Sequence, residues 1–531
     1  MRRLTPFVVL VVATGLIACV GDTPIQGVSD SGVQDAAGDT FVPGSDGSTD
    51  AASDGSEAGR PVPIAKGNFN WESVVGGDTP RGIGYDGQGN TFFTYDFYNT
   101  TTVNAKGYTS AGAQDIMVVK YDPKGKVIWA RQYGAAGDDE PQALAVDASG
   151  DVYLTIVSES SGFSFAGGIS YAKQGSNFDG FVVKLSGKNG DGVWLTNVSK
   201  SGENFMSCGP LAYGGGKLGV ACSSVKGLAL VKASDSTPLN LTCLECGGST
   251  PQNNNMYIAS LDPSSGKAFW GTVIAADKPT SAYAMVLDSK GAMALDFTSS
   301  GTLVHDATNS VNWTYQGVAG ALALVVKLAA ANGAGVWLKE FTDGTNNGNN
   351  QTSPGGLAVD SSDNVIFGGD IHGTVPFGTF TLKSGGGADV FVAQLKSAFG
   401  DVLWARTFGG ALDDRAPSVG VDPWDEIYLS GSYLSTDAKI DAFPFPAATS
   451  PHAGNYLTKL DPTGKGLWAT GIVSPSTSVN VIPFGNGLAV DPNLGGVAIT
   501  GWFQGTVDLG DGTPVASPNG VDDLFVVARS P

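Results

Sequence analysis

Four cysteines in one stretch of the chain are the residues whose types and spacing most directly suggest chemistry. They are Cys208, Cys222, Cys243 and Cys246. Four thiolates could bind zinc, and Cys243-x-x-Cys246 has the spacing of zinc ligands or of a redox pair. In an exported protein, however, paired cysteines usually become disulfides. We therefore predict two disulfides, with Cys208–Cys222 and Cys243–Cys246 as the first choice among three connectivities.

The second group of residues that could carry chemistry is acidic. These residues recur in polar segments that are often rich in glycine. Carboxylates that a fold brings together repel one another unless a cation binds between them or some of them become protonated. We predict a weak site for calcium or a cationic ligand formed by Asp138, Asp139, Asp413 and Asp414. The alternative is that these acids cap turns and face solvent. Related segments carry Asp78, Glu203, Asp277 and Asp343.

Motifs of common hydrolases are missing from the sequence. The three histidines, His305, His372 and His452, do not have the spacing of a metal pair, and there is no G-x-S-x-G or H-E-x-x-H motif. The glycines from Gly214 to Gly219 match a dinucleotide fingerprint in spacing only, because they lie between two predicted strands. We predict a non-enzymatic protein. The alternative is a polysaccharide hydrolase or lyase with paired carboxylates about 5–10 Å apart.

A phrase of about 65 residues recurs seven times after Trp71, which indicates a repeat architecture. The best preserved copy begins at Asp389 with DVFVAQL and ends at Gly431. Each copy holds a strand of the FVVKL type, a tryptophan and, in most copies, an aspartate turn. The tryptophans are residues 71, 129, 194, 270, 337, 404 and 468.

Each repeat contains four short strands, which predicts an all-β fold, a seven-bladed β-propeller. In the sixth repeat the strands are 416–421, 426–433, 455–460 and 466–472. The chain enters on a fourth strand, 68–75, and leaves on a third strand, 523–529. Pairing these two segments would close the ring and remove an exposed sheet edge. An open array of repeats is the alternative.

Turn chemistry accounts for most of the recurrent aspartates, which stand in Asp-x-x-Gly and Asp-Pro turns. Asp86, Asp147, Asp288 and Asp461 are examples. We assign them structural roles. The tryptophans occupy one equivalent position on the fourth strand, so we expect them to pack between neighbouring sheets, with ligand stacking as the alternative.

The first 66 residues predict export and a tether. Arg2 and Arg3 precede an apolar run that is too short to span a bilayer, so residues 1–18 are a predicted signal peptide. Residues 19–66 are rich in Asp, Ser and Gly, and we predict a disordered tether with a reach on the order of 40 Å. The folded domain would then be 67–531.

Charge and composition restrict the partners. The formal net charge is −20, with only 30 basic residues in 531. A phosphate-binding surface needs clustered lysine and arginine, so nucleic acid is excluded as a partner. No cofactor is indicated other than possible calcium. We expect a monomeric propeller.

The phrases Asp389-VFVAQL, Leu403-WARTFGGALDDR and Leu357-AVDSSDN resemble the SBBP repeats (seven-bladed β-propeller repeats) of bacterial exported proteins. The resemblance covers about residues 68–531 and implies a propeller on an exported or surface protein, without implying a reaction. Leu16-Ile17-Ala18-Cys19 resembles a bacterial lipobox. That resemblance implies a lipidated Cys19 and a membrane anchor in the cell envelope, at the outer membrane or cell surface; an ordinary signal peptide with a chance cysteine is the alternative.

A second resemblance concerns Leu261-DPSSGKAFW and Tyr121-DPKGKVIW, which are similar to repeats of pyrroloquinoline-quinone propellers and of lipoprotein scaffolds. The quinone enzymes use a vicinal disulfide, and this chain has no Cys-Cys pair. The resemblance therefore implies a scaffold. We predict a protein or glycan ligand on the acidic-loop face and on the long loops 95–110, 223–255 and 433–454. Aromatic residues on these loops include Phe97, Tyr98, Phe443 and Phe445.

Overall fold

The computed structural model describes residues 69–530 with several gaps. The gaps are residues 174–177, 199–205, 225–227, 233–238, 242–254, 277–279, 300–301, 308–309, 316–321, 343–350, 447–453, 474–483 and 518–522. The predicted signal peptide, Cys19 and the predicted tether all lie outside the described residues. The described part of the chain consists of strands and turns. No helix in it is long and apolar enough to cross a membrane.

The strands form seven antiparallel sheets, or blades, that follow one another along the chain. Strand β1 (Phe69–Gly76) comes first. Blade 1 contains β2 (Thr79–Tyr85), β3 (Thr91–Val103), β4 (Lys106–Tyr121) and β5 (Val127–Tyr133). Blade 2 contains β6 (Asp139–Val146), β7 (Val152–Ser158), the hairpin β8 (Gly162–Ser164) and β9 (Ser170–Ala172), then β10 (Asp179–Leu185) and β11 (Gly192–Asn197).

Blades 3 and 4 follow the same order. Blade 3 contains β12 (Met206–Gly214), β13 (Lys217–Ser224), the hairpin β14 (Leu228–Lys232) and β15 (Leu239–Leu241), then β16 (Asn255–Leu261) and β17 (Ala268–Ala276). Blade 4 contains β18 (Thr280–Leu287), β19 (Met293–Ser299), the hairpin β20 (Leu303–Ala307) and β21 (Ser310–Tyr315), then β22 (Leu322–Leu328) and β23 (Gly335–Phe341).

Blades 5 to 7 complete the array. Blade 5 contains β24 (Gln351–Val359), β25 (Val365–Phe377), β26 (Phe380–Leu395) and β27 (Val402–Phe408). Blade 6 contains β28 (Asp414–Val421), β29 (Ile427–Tyr433), the hairpin β30 (Lys439–Ile440) and β31 (Phe443–Pro444), then β32 (Gly454–Leu460) and β33 (Gly466–Ile472). Blade 7 contains β34 (Phe484–Val490), β35 (Val497–Phe503), the hairpin β36 (Thr506–Asp508) and β37 (Pro514–Ala516), then β38 (Asp523–Arg529).

Strand β1 is the fourth strand of blade 7, as the sequence predicted. It pairs antiparallel with β38, with Trp71 opposite Ala528 and Val75 opposite Leu524. The first strands of consecutive blades are neighbours all the way round, and β34 of blade 7 lies beside β2 of blade 1. The predicted seven-bladed propeller and its closure are therefore confirmed. In blade 6 the strand bounds agree with the predicted ones to within two residues.

Apolar packing between blades holds the ring together. Seven clusters of buried side chains are present, and each combines residues of two adjacent blades. The repeated tryptophans contribute to this packing as predicted. The indole Nε1 of Trp129 donates to the carbonyl oxygen of Gly187 in the next blade at 3.1 Å, and Trp270 donates to Ala330 at 2.9 Å. Trp129 and Trp270 are structural because both the ring and its polar atom are used between blades.

The recurrent turn aspartates also have the structural role predicted for them. In the first turn of blade 1, Asp86 Oδ1 accepts hydrogen bonds from the backbone N–H groups of Gln88 and Asn90. Its Oδ2 lies 3.3 Å from the ammonium of Lys120, in the FVVKL-type strand. Equivalent buried ion pairs recur in other blades, and sequence reasoning missed them. They are Lys184–Asp147, Lys327–Asp288 and Lys459–Asp422.

The connections between second and third strands are hairpin arms that reach the preceding blade, rather than open loops. In blade 3 the arm strand β14 pairs directly with β11 of blade 2, and in blade 4 β20 pairs with β17 of blade 3. In blade 5 the arm places Phe377 against Phe341 of blade 4, with ring centroids 4.6 Å apart. The arms thus cover the outer parts of neighbouring blades and reinforce the ring.

The arms contain the described parts of the predicted interaction loops; residues 225–227, 233–238, 242–254 and 447–453 of those loops lie outside the described residues. Residues 95–110 form the ends of β3 and β4, and Phe97 and Phe445 are buried in the core instead of being exposed. Tyr98 is 45% exposed. The glycine motif of blade 3 is a two-residue hairpin turn, as expected: Gly215 and Gly216 have φ of +55° and +68°, a conformation that favours glycine.

Candidate functional site

The candidate site lies on the face where each fourth strand leads into the next first strand, which we call the acidic face. The starts of the first and third strands and the ends of the second and fourth strands meet there. Two groups of charged residues stand out. The first acidic junction, between blades 1 and 2, comprises Asp78, Arg81, Asp96, Asp138 and Glu140. The second acidic junction, between blades 5 and 6, comprises Asp370, Asp413, Arg415 and Asp437.

Arg81 is the central cation of the first acidic junction. Its Nε lies 2.7 Å from Asp96 Oδ2, and its Nη2 lies 3.0 Å from Glu140 Oε2 in the next blade. Asp96 is fully buried, and its Oδ1 accepts a hydrogen bond from the backbone N–H of Thr79 at 3.0 Å. Burial raises the pKa of Asp96 to about 6, although the charge of Arg81 acts in the opposite direction. One guanidinium therefore balances part of the charge of four acids.

Tyr98 presents an exposed aromatic ring beside these acids. Gln114, which is opposite Tyr98 in the sheet, donates its backbone N–H to Asp138 Oδ1 at 3.2 Å and its amide to Asp78 Oδ2 at 3.3 Å. Partial burial and the negative charges of Asp138, Asp78, Asp96 and Glu140 raise the pKa of the Tyr98 phenol to about 12. The result is an accessible ring in a strongly negative field.

The second acidic junction has a related arrangement with the charges placed differently. Arg415 occupies the position of Glu140 and contacts Asp370 Oδ2 at 3.2 Å and Asp413 Oδ2 at 3.3 Å. Asp370 occupies the position of Asp96 in its blade. His372 stands where Tyr98 stands in blade 1. The second junction therefore lacks the exposed tyrosine that distinguishes the first.

The four predicted cation ligands fall into two separate pairs, one at each junction. Asp138 and Asp413 lie in the loops. Asp138 accepts a hydrogen bond from the backbone N–H of Gln114, and Asp413 accepts one from the backbone N–H of Ala388. These two donors come directly before the acids that begin the third strands. Asp139 and Asp414 begin the first strands of blades 2 and 6 and are fully buried. In the described part of the chain, no group of three or more His, Cys, Asp or Glu is placed to hold a metal ion. Glu203, Asp277 and Asp343 lie outside the described residues.

The sequence did not single out the acids that begin the third strands, although a signal for them exists. Asp115, Asp179, Asp389 and Asp523 each stand just before an apolar FVVKL-type run and are almost completely buried. A polar residue at the start of a buried strand, repeated in several copies, is the pattern that could have identified them.

One of the predicted disulfides is present. Cys208 and Cys222 face each other on β12 and β13 with their Cα atoms 4.0 Å apart, and their sulfurs are bonded. Both side chains are buried between blades 2 and 3. Cys243 and Cys246 lie outside the described residues, so the second bridge remains a prediction.

The histidines do not assemble a catalytic group in the described part of the chain. His305 is fully buried in the arm of blade 4, where its Nε2 lies 3.0 Å from Thr272 Oγ1. Burial lowers the pKa of this imidazole to about 4. His372 is on the acidic face, and His452 lies outside the described residues.

The strand pairing defines this chain as a seven-bladed β-propeller with an acidic face. No protein-family model and no curated protein matches it. Similar solved structures include quinohemoprotein alcohol dehydrogenase from Comamonas testosteroni, with a TM-score of 0.38, 10% identity and coverage of 87% of this chain and 76% of that one. BamB from Moraxella catarrhalis has a TM-score of 0.27, 13% identity and coverage of 67% and 96%. Likenesses this distant concern the fold alone.

Proposed function

We propose that this chain is a non-enzymatic binding scaffold of the bacterial cell envelope, an SBBP-type propeller held to a membrane by a lipid on Cys19. The observation that carries the binding role is the exposed ring of Tyr98 next to the acids of the first acidic junction. An aromatic face and nearby carboxylates together attract ammonium and guanidinium groups. The expected ligand is therefore a protein segment that carries lysine or arginine.

Charge supports this partner class. The first acidic junction contains four carboxylates and one arginine, and Arg81 is already engaged by Asp96 and Glu140. Asp78 is exposed and Asp138 is partly exposed, so both can approach a cation in solution. Complementary charge at an interface raises the association rate and selects partners of the opposite sign.

The alternative of a polysaccharide hydrolase finds less support in the same geometry. Asp96 has a pKa raised to about 6, a value that would suit a proton donor. Its side chain, however, is fully buried and bonded to Arg81 and Thr79, so it offers no surface to a glycan. We therefore retain the scaffold as the proposed function.

Binding is tested with arginine-rich and lysine-rich peptides titrated calorimetrically into the full chain in detergent. Asp138→Asn with Glu140→Gln should weaken peptide binding roughly tenfold, and raised salt should weaken it further, because exposed charges are screened. The control is Asp401→Asn, which removes an exposed negative charge from the opposite face. Equal affinity of the wild-type protein and the double variant would refute the assignment. Turnover of a polysaccharide that disappears in the double variant would favour the hydrolase instead.

The lipid anchor is tested separately by growing cells with an alkyne-tagged fatty acid. The wild-type protein should take up the tag and fractionate with membranes, because several acyl chains on one residue give stable anchoring. Cys19→Ser should lose the tag and appear in the soluble fraction. A tagged Cys19→Ser protein, or an untagged wild-type protein, would remove the anchor from the proposal.

A further inference from the structure

Two pairs of buried aspartates occupy equivalent positions at two blade interfaces. Asp115, at the third strand of blade 1, faces Asp139, the first residue of blade 2. Asp389, at the third strand of blade 5, faces Asp414, the first residue of blade 6. Three of these side chains are 0% exposed and Asp389 is 3% exposed. At the interface between blades 7 and 1, Asp523 occupies the position of Asp115, and its Oδ2 accepts a hydrogen bond from the hydroxyl of Ser517.

A glycine keeps a gap open between the two carboxylates of each pair. A Cβ atom on Gly134 would lie 2.5 Å from Asp115 Oδ1 and 3.1 Å from Asp139 Oδ2. A Cβ atom on Gly409 would meet Asp389 Oδ1 and would lie 2.9 Å from Asp414 Oδ2. Both glycines have positive φ, +145° and +156°. Any side chain at either position would therefore enter the space that the two carboxylates share.

One oxygen of each pair has no hydrogen-bond donor. Asp115 Oδ1 and Asp389 Oδ1 are buried and form no hydrogen bond, although the backbone N–H of Gly410, which donates to Asp414 Oδ2, also lies near the Asp389 carboxylate. By contrast, Asp115 Oδ2 accepts from the backbone N–H of Ala111 at 3.0 Å and from the Gln132 amide at 2.6 Å. A buried acceptor without a donor is costly, and two such atoms at equivalent places indicate a missing electropositive partner.

The protein supplies neutral donors to these four acids. Asp139 Oδ2 accepts from the backbone N–H of Ala135 and from the hydroxyl of Ser160, each at 2.7 Å. Asp414 Oδ2 accepts from the backbone N–H of Gly410 at 2.7 Å. In the parts of the chain that the structure describes, no lysine, arginine or histidine forms an ion pair with any of the four. Burial raises the pKa of all four carboxyls, and the neighbouring acid adds to this for Asp139 and Asp389.

We propose that each pair binds one divalent cation, calcium for an exported protein, between the unpartnered oxygen of the third-strand aspartate and the carboxylate of the first-strand aspartate. One such ion neutralises two carboxylates. Calcium accepts six to eight oxygen ligands, including hydroxyls, backbone carbonyls and water. Because two acids alone supply a small part of that set, the affinity should be about 10⁻⁴–10⁻³ M, the range of extracellular calcium modules.

The proposed ions connect the third strand of one blade to the first strand of the next. They involve Asp115 and Asp389, which the sequence had not indicated, and they do not require Asp138 or Asp413 as ligands. The inference does not rest on the proposed peptide binding. Asp138→Asn should weaken binding of a basic peptide and leave the calcium response unchanged, so the two proposals can fail independently.

The test uses the full chain in detergent after treatment with a chelator. Five millimolar calcium should raise the Tm by about 3 °C in the wild-type protein, since a ligand that binds only the folded state stabilises it. Asp115→Asn combined with Asp389→Asn should abolish the shift. Asp523→Asn, the equivalent third-strand change at the interface between blades 7 and 1, should retain it, because the Asp523 carboxylate already accepts from Ser517.

Terbium luminescence gives a second readout that does not depend on the double variant being folded. Tyr171 is close enough to Asp139 for that carboxylate to raise the pKa of the Tyr171 phenol, and Tyr433 stands in the same relation to Asp414. Each tyrosine can therefore sensitise a lanthanide bound at the neighbouring pair. We expect two terbium ions per wild-type chain. Each single variant, Asp115→Asn or Asp389→Asn, should bind one. The proposal is overturned if calcium leaves the wild-type Tm unchanged, or if the double variant responds as the wild-type protein does. It is also overturned if mild acid replaces calcium as the stabiliser, because each pair would then share a proton.

Discussion

Deleting residues 69–76 should lower the Tm by at least 10 °C and cause aggregation on heating. The deletion removes β1, the strand that pairs with the outer edge of β38 in blade 7. It also takes Trp71 and Val75, 7% and 3% exposed, out of the apolar cluster between blades 7 and 1. Loss of one buried tryptophan alone typically costs about 3–5 kcal/mol. The exposed β38 edge would then be free to pair with another chain.

The deletion is assayed by thermal melts followed by circular dichroism and by size-exclusion chromatography of the heated and cooled protein. Deleting residues 46–53 is the matched control, because it removes eight residues from the predicted tether and leaves β1 in the chain. Val75→Asp tests the same contact with one substitution, since Val75 is opposite Leu524. A melting curve that is unchanged by the deletion of 69–76 would show that closure by β1 contributes little to stability.

Lys327→Met should destabilise the protein by about 3–5 kcal/mol, the usual result of removing one partner of a buried ion pair. Lys327 Nζ lies 2.9 Å from Asp288 Oδ2, and both side chains are only 5% exposed. The same ammonium donates to Ser397 Oγ in the next blade at 2.7 Å. Methionine would fill the space of the lysine stem but would leave the Asp288 carboxylate buried without its cation.

Blade 5 supplies the control for that substitution. There Gln394 occupies the lysine position, and its amide donates to Asp360 Oδ2 at 2.6 Å. Lys327→Gln should therefore cost less than half as much as Lys327→Met. Lys339→Met breaks the exposed pair with Asp401 and should change the free energy of unfolding by no more than about 1 kcal/mol. Chemical denaturation measures all three, and equal losses for Lys327→Met and Lys339→Met would contradict the argument.

The repeat made most of the architecture predictable. Short strands, turn residues and one tryptophan per copy are local signals, so the strands of blade 6 could be placed to within two residues. The incomplete units at both ends predicted the pairing of β1 with β38. The hairpin arms were not predicted, because their partners belong to the preceding blade and few local signals indicate contacts between separate blades.

The site was less predictable, for the same reason. The sequence indicated Asp138, Asp139, Asp413 and Asp414 as one group, because adjacent acids in similar loops attract attention. The structure separates them into two sets. Asp138 and Asp413 are loop residues that accept hydrogen bonds from backbone N–H groups. Asp139 and Asp414 are buried opposite Asp115 and Asp389. Those partners are 24 and 25 residues away in the sequence, one blade apart. The ion pair of Arg81 with Glu140 likewise crosses from one blade to the next.

By itself, the sequence determined the number of blades, the strand order within a blade and the way the ring closes, because periodic apolar residues and turn residues act over a few neighbours in the chain. The tertiary structure decided which acids meet across a blade interface, which aromatic side chains remain exposed and which carboxylate oxygens are left without a donor. Those properties depend on how adjacent sheets twist and pack against each other, and that packing is set by contacts between residues distant in sequence.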